Sequence, residues 1–240
     1  MPANAKITIN RIYDQQLHRR KRLIRELCGL DRVCHCQLCE DDEKDGEQTV
    51  DRRRRVKNNF EMEMYTQSIG TSGTLAKTKG DLEKCKDIVD IIRHTYSSAR
   101  TSSVEFETLL PLMSMGYCHV RIEILTGSST TGDAIEACKR ALRCLGVVLA
   151  EDPNKTSKPP IGDIPTRSPI LCLPRVFHGH ATTLMAMIAG AYSSTGNDLQ
   201  AKRWAQAMVW ADKMVVGPSL PLFKELNKAH IDKFDIGRYL

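Results

Sequence analysis

The sequence has few aromatic side chains, no long apolar run and no regular cysteine framework. Aromatic residues make up 5% of the 240 positions, so we expect a core of aliphatic side chains, methionine and cysteine. The longest apolar stretch, ATTLMAMIAGAY, is far shorter than the roughly 20 residues of a membrane-spanning helix, so no membrane association is predicted. The stretch MPANAKITIN lacks the apolar centre of a secretory signal. We therefore expect an intracellular protein, in the nucleus or the cytoplasm.

The cysteines and the net charge narrow the possible functions further. Nine cysteines are an odd number, and in a chain without an export signal thiols stay reduced, which favours metal binding or burial over disulfides. The formal net charge of +6 permits an acidic partner without demanding one. Much of the positive excess lies in the first 60 residues, which also hold the closest cysteine spacing.

Residues 81–240 show helical periodicity and almost no strand-like alternation, so the sequence predicts a mostly α fold. One helix is expected to begin at Asp81, a second to carry Pro111 in its first turn, and a third to begin with Asp133 and Glu136 as a capping box. The second and third of these helices should form an antiparallel hairpin. The predicted apolar stripe of the first helix comprises Leu82, Cys85, Ile88, Val89 and Ile92, and that of the third comprises Ile135, Cys138, Leu142, Leu145 and Leu149.

The clearest helix pair is predicted near the carboxyl terminus, on either side of the turn STGN. Its spacing, with a small residue at Ala201, resembles a tetratricopeptide helix pair, although a strict 34-residue repeat is absent. Residues 151–169 contain five prolines and predict a long loop, and residues 46–80 predict a flexible connector. The apolar positions of the pair are Leu184, Met185, Ile188, Ala191 and Tyr192, then Ala201, Trp204, Ala205, Met208, Ala211 and Val215.

Three cysteines, Cys34, Cys36 and Cys39, stand at C-x-C-x-x-C spacing. Thiolates at this spacing can converge on one tetrahedral Zn²⁺ ion at about 2.3 Å. Reduced cysteines without a metal are the alternative. Neither Cys28, on a predicted basic helix, nor His35, inside the cluster, is a convincing fourth ligand.

The stretch ITIN…RRKRLIREL-CGLDRVCHCQLC resembles the last SET strand and post-SET segment of SET-and-MYND (SMYD-like) lysine methyltransferases. In that family an Arg-rich helix separates the strand from three zinc-binding cysteines, and the fourth cysteine comes from the SET domain upstream. The resemblance implies that residues 1–45 end a SET domain and that residues 81–240 form a tetratricopeptide-like wall. The matching residues are Ile7, Thr8, Ile9, the helix 19–27, Gly29, Cys34, Cys36 and Cys39.

Most of the methyltransferase has no counterpart in the chain. The N-H-x-C segment and the glycine-rich S-adenosylmethionine-binding stretch are absent, and Arg11 stands where the family has its catalytic tyrosine, two positions before Tyr13. We therefore assign no catalytic or cofactor-binding residue, and expect S-adenosylmethionine to bind only a full-length parent. The resemblance implies that the chain is a C-terminal fragment of such a methyltransferase, in which it supports a substrate channel. The alternative is a stand-alone helical module that binds a protein or peptide.

Three other motifs favour ordinary structural roles. The run DRRRRVK, residues 51–57, could be a nuclear-localisation or nucleic-acid patch, but a solvated charged face is favoured because no aromatic residues interleave with it. His178 and His180 could be metal ligands, but a position at a helix start is favoured. GTSGTLAKTKG lacks the ending of a P-loop. Nucleic acid is therefore not an expected partner.

Overall fold

The computed structural model describes residues 37–70, 73–99, 105–152, 167–172, 179–215 and 219–240. These residues are mostly helical with one two-stranded sheet, which confirms the predicted mostly α class. Most of the predicted post-SET-like segment lies outside them. The helices are α1 Gln37–Asp45, α2 Glu47–Gln67, α3 Leu75–Arg93, α4 Leu109–Thr126, α5 Thr131–Cys144, α6 Gly179–Ser194, α7 Asp198–Val215, α8 Leu220–Leu226 and α9 Lys228–Lys233. Short 3-10 turns cover Phe106–Thr108 and Gly237–Tyr239.

Helix α2 occupies much of the segment that was predicted to be a connector. Gly46, with φ of 82°, separates it from α1 in a conformation that favours glycine. Val50 and Phe60 are both 1% exposed, so α2 is anchored in the core. The predicted flexible connector is therefore wrong for residues 47–67. The buried side chains of α2 are widely spaced and two of them are charged, so the apolar periodicity of this segment does not indicate a helix.

Helix α3 begins six residues before its predicted start. The side chain of Thr74 accepts a hydrogen bond from the Lys77 backbone N–H at 3.3 Å, so Thr74 is the N-cap. Asp81, the predicted cap, lies inside α3. Its Oδ2 accepts from the Gly70 N–H at 3.1 Å and from Lys77 Nζ at 2.7 Å. Asp81 therefore ties α3 to the turn that follows α2.

Helices α4 and α5 form the predicted hairpin, with Pro111 in the first turn of α4. The predicted capping box at the start of α5 is wrong, because a residue of α4 takes that role. Glu123 Oε2 accepts from Thr131 Oγ1 at 2.6 Å and from the Thr130 N–H at 3.2 Å. Closer to the start of α4, Thr108 Oγ1 lies 3.1 Å from Cys144 Sγ at the far end of α5, so the two helices are antiparallel. The predicted stripe Ile135, Cys138, Leu142, Leu145 and Leu149 is buried.

A small sheet brings together the ends of the proline-rich segment. Strand β1, Val148–Leu149, pairs antiparallel with β2, Ile170–Cys172. The Ala150 N–H also donates to the Pro169 carbonyl at 2.8 Å. Residues 153–166, most of the predicted loop, lie outside the described residues. The sheet was not predicted, because strands of two and three residues leave no alternation to detect.

Helices α6 and α7 form the second predicted pair. Gly190 of α6 lies where an added Cβ would stand 2.9 Å from the Phe234 carbonyl oxygen, so the chain after α9 packs closely on α6. Arg238 donates to Ser193 Oγ at 2.8 Å near the α6–α7 turn. The predicted residues Leu184, Met185, Ile188, Ala191, Ala201, Trp204, Ala205, Met208 and Ala211 are buried, and Tyr192 is half-buried.

In the part of the chain that the structure describes, no helix is both long enough and apolar enough to cross a membrane.

Candidate functional site

Only one of the three predicted zinc ligands lies among the described side chains. Cys39 is in the first turn of α1 and is 0% exposed. Cys34 and Cys36 lie outside the described residues. Among the side chains that are described, no group of three His, Cys, Asp or Glu residues could hold a metal ion. Zinc binding at Cys34, Cys36 and Cys39 therefore stays a prediction.

The arginine run holds an internal ion pair. Arg53 is 0% exposed, and its Nη1 and Nη2 donate to Asp45 Oδ2 at 2.9 and 2.8 Å. Asp42 Oδ1 lies 3.5 Å from Nη2, and Glu107 Oε1 lies 3.8 Å from Nε. The guanidinium carbon stands 4.0 Å from the centroid of the Tyr96 ring. The prediction of a solvated charged face is therefore wrong for Arg53. This buried side chain instead joins α1 and α2 to Tyr96 and Glu107.

Electrostatics explain how this arginine tolerates burial. Burial by itself would lower the pKa of Arg53, but the negative charges of Glu107 and Asp45 outweigh it and raise the pKa above its usual value. Burial and the Glu107 carboxylate raise the pKa of Tyr96, whose hydroxyl donates to Glu107 Oε2 at 2.5 Å. The charged and polar side chains of this cluster thus pair with one another. We interpret the cluster as a structural joint, because the Arg53 and Asp45 side chains are 0% exposed. Arg53 Nε has no hydrogen-bond partner among the described residues, but it is buried as well.

A second group of polar side chains lies where α2, α4, α6 and α9 meet, and we call it the two-histidine face. It comprises Lys57 and Glu61 of α2, Tyr117 of α4, His180 and Thr183 of α6, and His230 and Lys233 of α9. Ser114 of α4 donates to Met64 Sδ of α2 at 3.3 Å, which brings these two helices together. Side chains from four separate helices therefore share one surface.

The two histidines are linked to different neighbours. His230 Nε2 lies 3.0 Å from Thr183 Oγ1, while Nδ1 of the same ring is buried without a hydrogen-bond partner among the described residues. His180 is within electrostatic range of Glu61 and His230. Burial lowers the pKa of both histidines, and Lys233 lowers the pKa of His230 further. Both rings are therefore mainly neutral at pH 7.

Lys233 and Tyr117 form the cationic and aromatic part of the face. Lys233 Nζ stands 4.3 Å from the centroid of the Tyr117 ring, a cation–π geometry. The Phe234 ring stacks on Tyr117 with centroids 6.4 Å apart. Burial lowers the pKa of Lys233. Lys57 and Glu61, by contrast, pair with each other at 2.6 Å.

The sequence indicated only part of this face. His180 is the second residue of α6, which confirms the predicted position at a helix start, whereas His178 lies outside the described residues. Among the described residues, His230, 50 positions away, is within electrostatic range of His180. No motif marked His230 or Lys233, since both belong to the short helix α9, whose six residues show no apolar stripe.

The isolated cysteines are core residues, as predicted. Cys85, Cys118, Cys138 and Cys144 are each at most 3% exposed. Burial raises the pKa of Cys138 to about 12 and that of Cys144 to about 11, so neither thiol is an activated nucleophile. The side chain of Cys172 lies outside the described residues.

Comparisons of the sequence with protein-family models and curated proteins, and of the fold with solved structures, found no match.

Proposed function

We propose that the helical region binds a segment of a protein partner on the two-histidine face. The observation that carries the proposal is the convergence of side chains from α2, α4, α6 and α9. It is seen in the contacts of His230 with Thr183, of Lys233 with Tyr117 and of Ser114 with Met64. Helical arrays that resemble tetratricopeptide repeats bind peptides in this way, with side chains of successive helices along one surface. The tetratricopeptide-like arrangement is part of the proposal.

The composition of the face supports binding over catalysis. Aromatic and cationic groups that stand side by side, such as Tyr117 and Lys233, suit the recognition of a peptide with mixed side chains. Thr183 Oγ1 lies 3.0 Å from His230 Nε2, but the Thr183 side chain is only 8% exposed, which disfavours it as a nucleophile toward an outside substrate. Tyr65, one helical turn beyond Glu61 on the same side of α2, is 73% exposed and extends the surface.

Photo-crosslinking in cells tests this proposal. p-Benzoylphenylalanine replaces Tyr65 in one variant of the full chain and Gln206, an exposed residue of α7 outside the face, in a matched control. We expect the position-65 variant to capture a defined peptide segment that mass spectrometry identifies, and a synthetic peptide of that segment to bind the purified chain in calorimetry. Capture of the same segments from position 206, or a synthetic peptide that does not bind, would contradict the proposal.

A second proposal follows from the resemblance to SMYD-like lysine methyltransferases. In it, the helical region is the wall of such an enzyme, a zinc ion held by Cys34, Cys36 and Cys39 stabilises the adjacent segment, and S-adenosylmethionine binds elsewhere in the parent. The C-x-C-x-x-C spacing supports it. So does the ion pair of Arg53 with Asp45, because it joins α1, which holds Cys39 in its first turn, directly to α2.

Zinc titration tests this second proposal. We expect the purified chain to bind one zinc ion weakly, because three thiolates leave the fourth position to water, and to lose it in Cys34→Ser and Cys36→Ser. Cys28→Ser and His35→Gln should leave the affinity unchanged. The chain should not transfer a methyl group from S-adenosylmethionine to protein lysine. If no zinc binding depends on these cysteines, the predicted zinc site is wrong. If the chain binds zinc as tightly as a four-cysteine site does, the prediction that a fourth ligand is missing is wrong.

A further inference from the structure

Lys233 is a cation with aromatic neighbours and no carboxylate partner. Its Nζ lies 4.3 Å from the Tyr117 ring centroid and 5.5 Å from that of Phe234. Among the described residues, no Asp or Glu oxygen lies within 4.0 Å of it. The face therefore keeps one positive charge, because its other lysine, Lys57, is already paired with Glu61 at 2.6 Å.

His230 has an unused hydrogen-bonding position in the same area. Nε2 of the ring lies 3.0 Å from Thr183 Oγ1, and Nδ1 is buried with no hydrogen-bond partner in the described part of the chain. Because Nδ1 is buried, a bound segment does not reach it. Lys233, three residues further along α9, is within electrostatic range of this ring. Of these two side chains of α9, Lys233 is therefore the donor that a bound segment can reach.

We propose that the segment bound by the two-histidine face is acidic, with an Asp or Glu carboxylate that accepts a hydrogen bond from Lys233 Nζ. This inference rests on the proposed peptide-binding function and adds the chemistry of the partner. Charge complementarity is the reason for choosing an acidic partner, since a carboxylate provides the counter-charge that Lys233 lacks. An apolar side chain of the segment contacts the rings of Tyr117 and Phe234.

A single-stranded nucleic acid could also bring negative charge and stacking groups to this face. Nucleic-acid grooves, however, follow the backbone with several cations, and each neutralised phosphate needs its own Lys or Arg. The face has Lys233 as its one cation without a carboxylate among the described side chains. A peptide with a few carboxylates therefore fits its charge better.

Fluorescence anisotropy with the full chain tests the inference. Three of the probes are fluorescein-labelled dodecapeptides of Ser with one Phe and four variable positions. The variable positions are all Glu in the first peptide, all Gln in the second and all Lys in the third. The fourth probe is a labelled dT12 oligonucleotide. We expect the Glu peptide to bind at least about tenfold more tightly than the Gln peptide, and the Lys peptide and dT12 to bind more weakly still. Added salt should weaken binding of the Glu peptide.

Two variants assign the binding to the face. Lys233→Gln should weaken binding of the Glu peptide about tenfold, while Lys228→Gln, an exposed lysine on the same helix, should leave it unchanged. Thermal unfolding monitored by circular dichroism shows that both variants are folded.

Each other outcome overturns the inference. Equal affinities for the Glu and Gln peptides, both weakened by Lys233→Gln, would leave the binding function intact but refute the acidic preference. Tighter binding of dT12 would assign the face to nucleic acid. Binding of the Glu peptide that Lys233→Gln does not change would place the acidic site elsewhere, and a lack of binding by all four probes would also refute the preference for acidic segments. The crosslinking from position 65 tests the peptide-binding function separately.

Discussion

Arg53 and Asp45 form an ion pair in which both side chains are 0% exposed, with two guanidinium nitrogens 2.9 and 2.8 Å from one carboxylate oxygen. The other oxygen of Asp45 accepts the Ser97 backbone N–H at 2.8 Å. Asp45 thus connects α1 with α2 and with a residue 52 positions further along the chain. The joint is a structural device that places the amino-terminal helix against the rest of the fold.

Loss of this arginine should strongly destabilise the protein. We expect Arg53→Ala to lower the free energy of unfolding by about 3–5 kcal/mol, since it removes the Arg53 charge that lies beside the carboxylates of Asp42, Asp45 and Glu107. Arg55→Ala, an exposed position on the same helix, should change it by less than about 0.5 kcal/mol. Urea denaturation measures both values. Similar small effects for the two variants would show that the ion pair does not join the helices.

Two glycines inside helices should respond in opposite directions to alanine. At Gly190 a new Cβ would stand 2.9 Å from the Phe234 carbonyl oxygen, and we expect Gly190→Ala to destabilise the protein by about 1–3 kcal/mol. At Gly80 in α3 nothing lies within 4 Å, so Gly80→Ala should stabilise it by about 0.5–1 kcal/mol through helix propensity. Thermal denaturation compares the two variants. A stabilising effect at Gly190 would refute the close packing of the chain end on α6.

Stability should fall as the pH drops from 7.5 to 5.5. Burial lowers the pKa of His180, His230 and His119 in the folded state, so the unfolded chain takes up protons first as the pH falls below about 6.5. The free energy of unfolding therefore decreases toward acid. The charged groups that act on these rings are Glu61 on His180, Lys233 on His230, and Asp133 and Lys86 on His119.

Urea denaturation at pH 7.5, 6.5 and 5.5 checks this pH dependence. His230→Gln should make the decrease smaller, whereas His94→Gln, at an exposed position, should leave it unchanged. A free energy of unfolding that stays constant or rises toward pH 5.5 would contradict the prediction.

The buried thiols should resist alkylation in the folded protein. Burial raises the pKa of Cys138 to about 12 and that of Cys144 to about 11, so little thiolate is present at pH 8, and both side chains are inaccessible. We expect iodoacetamide to modify them at least about a hundredfold more slowly than in guanidinium chloride, as measured by mass spectrometry of peptides. Rapid native modification of Cys138 would indicate that the α4–α5 core opens readily.

Helix α2 shows why part of the fold could not be predicted from the sequence. Its most deeply buried residues include an arginine, Arg53, which apolar periodicity assigns to solvent. The sequence did hold a signal, since the acidic run EDDEKDGE, which contains Gly46, is separated by three residues from the basic run DRRRRVK. Opposite charges on two adjacent helices could have indicated a pair that folds back at the glycine.

The start of α5 is a second case. Asp133 and Glu136 have the spacing of a capping box, but Glu123 of the preceding helix accepts the hydrogen bonds instead. A local motif identifies side chains that could cap a helix. It cannot exclude a better-placed acceptor from a neighbouring helix, because that position depends on how the two helices pack.

The sequence by itself determined the helices α4 to α7 and their buried faces, because apolar side chains three and four positions apart encode a helix locally. Only the tertiary structure decided the burial of Arg53 and the assembly of the two-histidine face, since His180 and His230 have no relation in sequence spacing. Ion pairs and polar surfaces of this kind depend on contacts between residues far apart in the sequence, such as Asp45 with Ser97, 52 positions apart, and Thr183 with His230, 47 positions apart. Packing of the apolar faces brings those residues together, and no local pattern records the result.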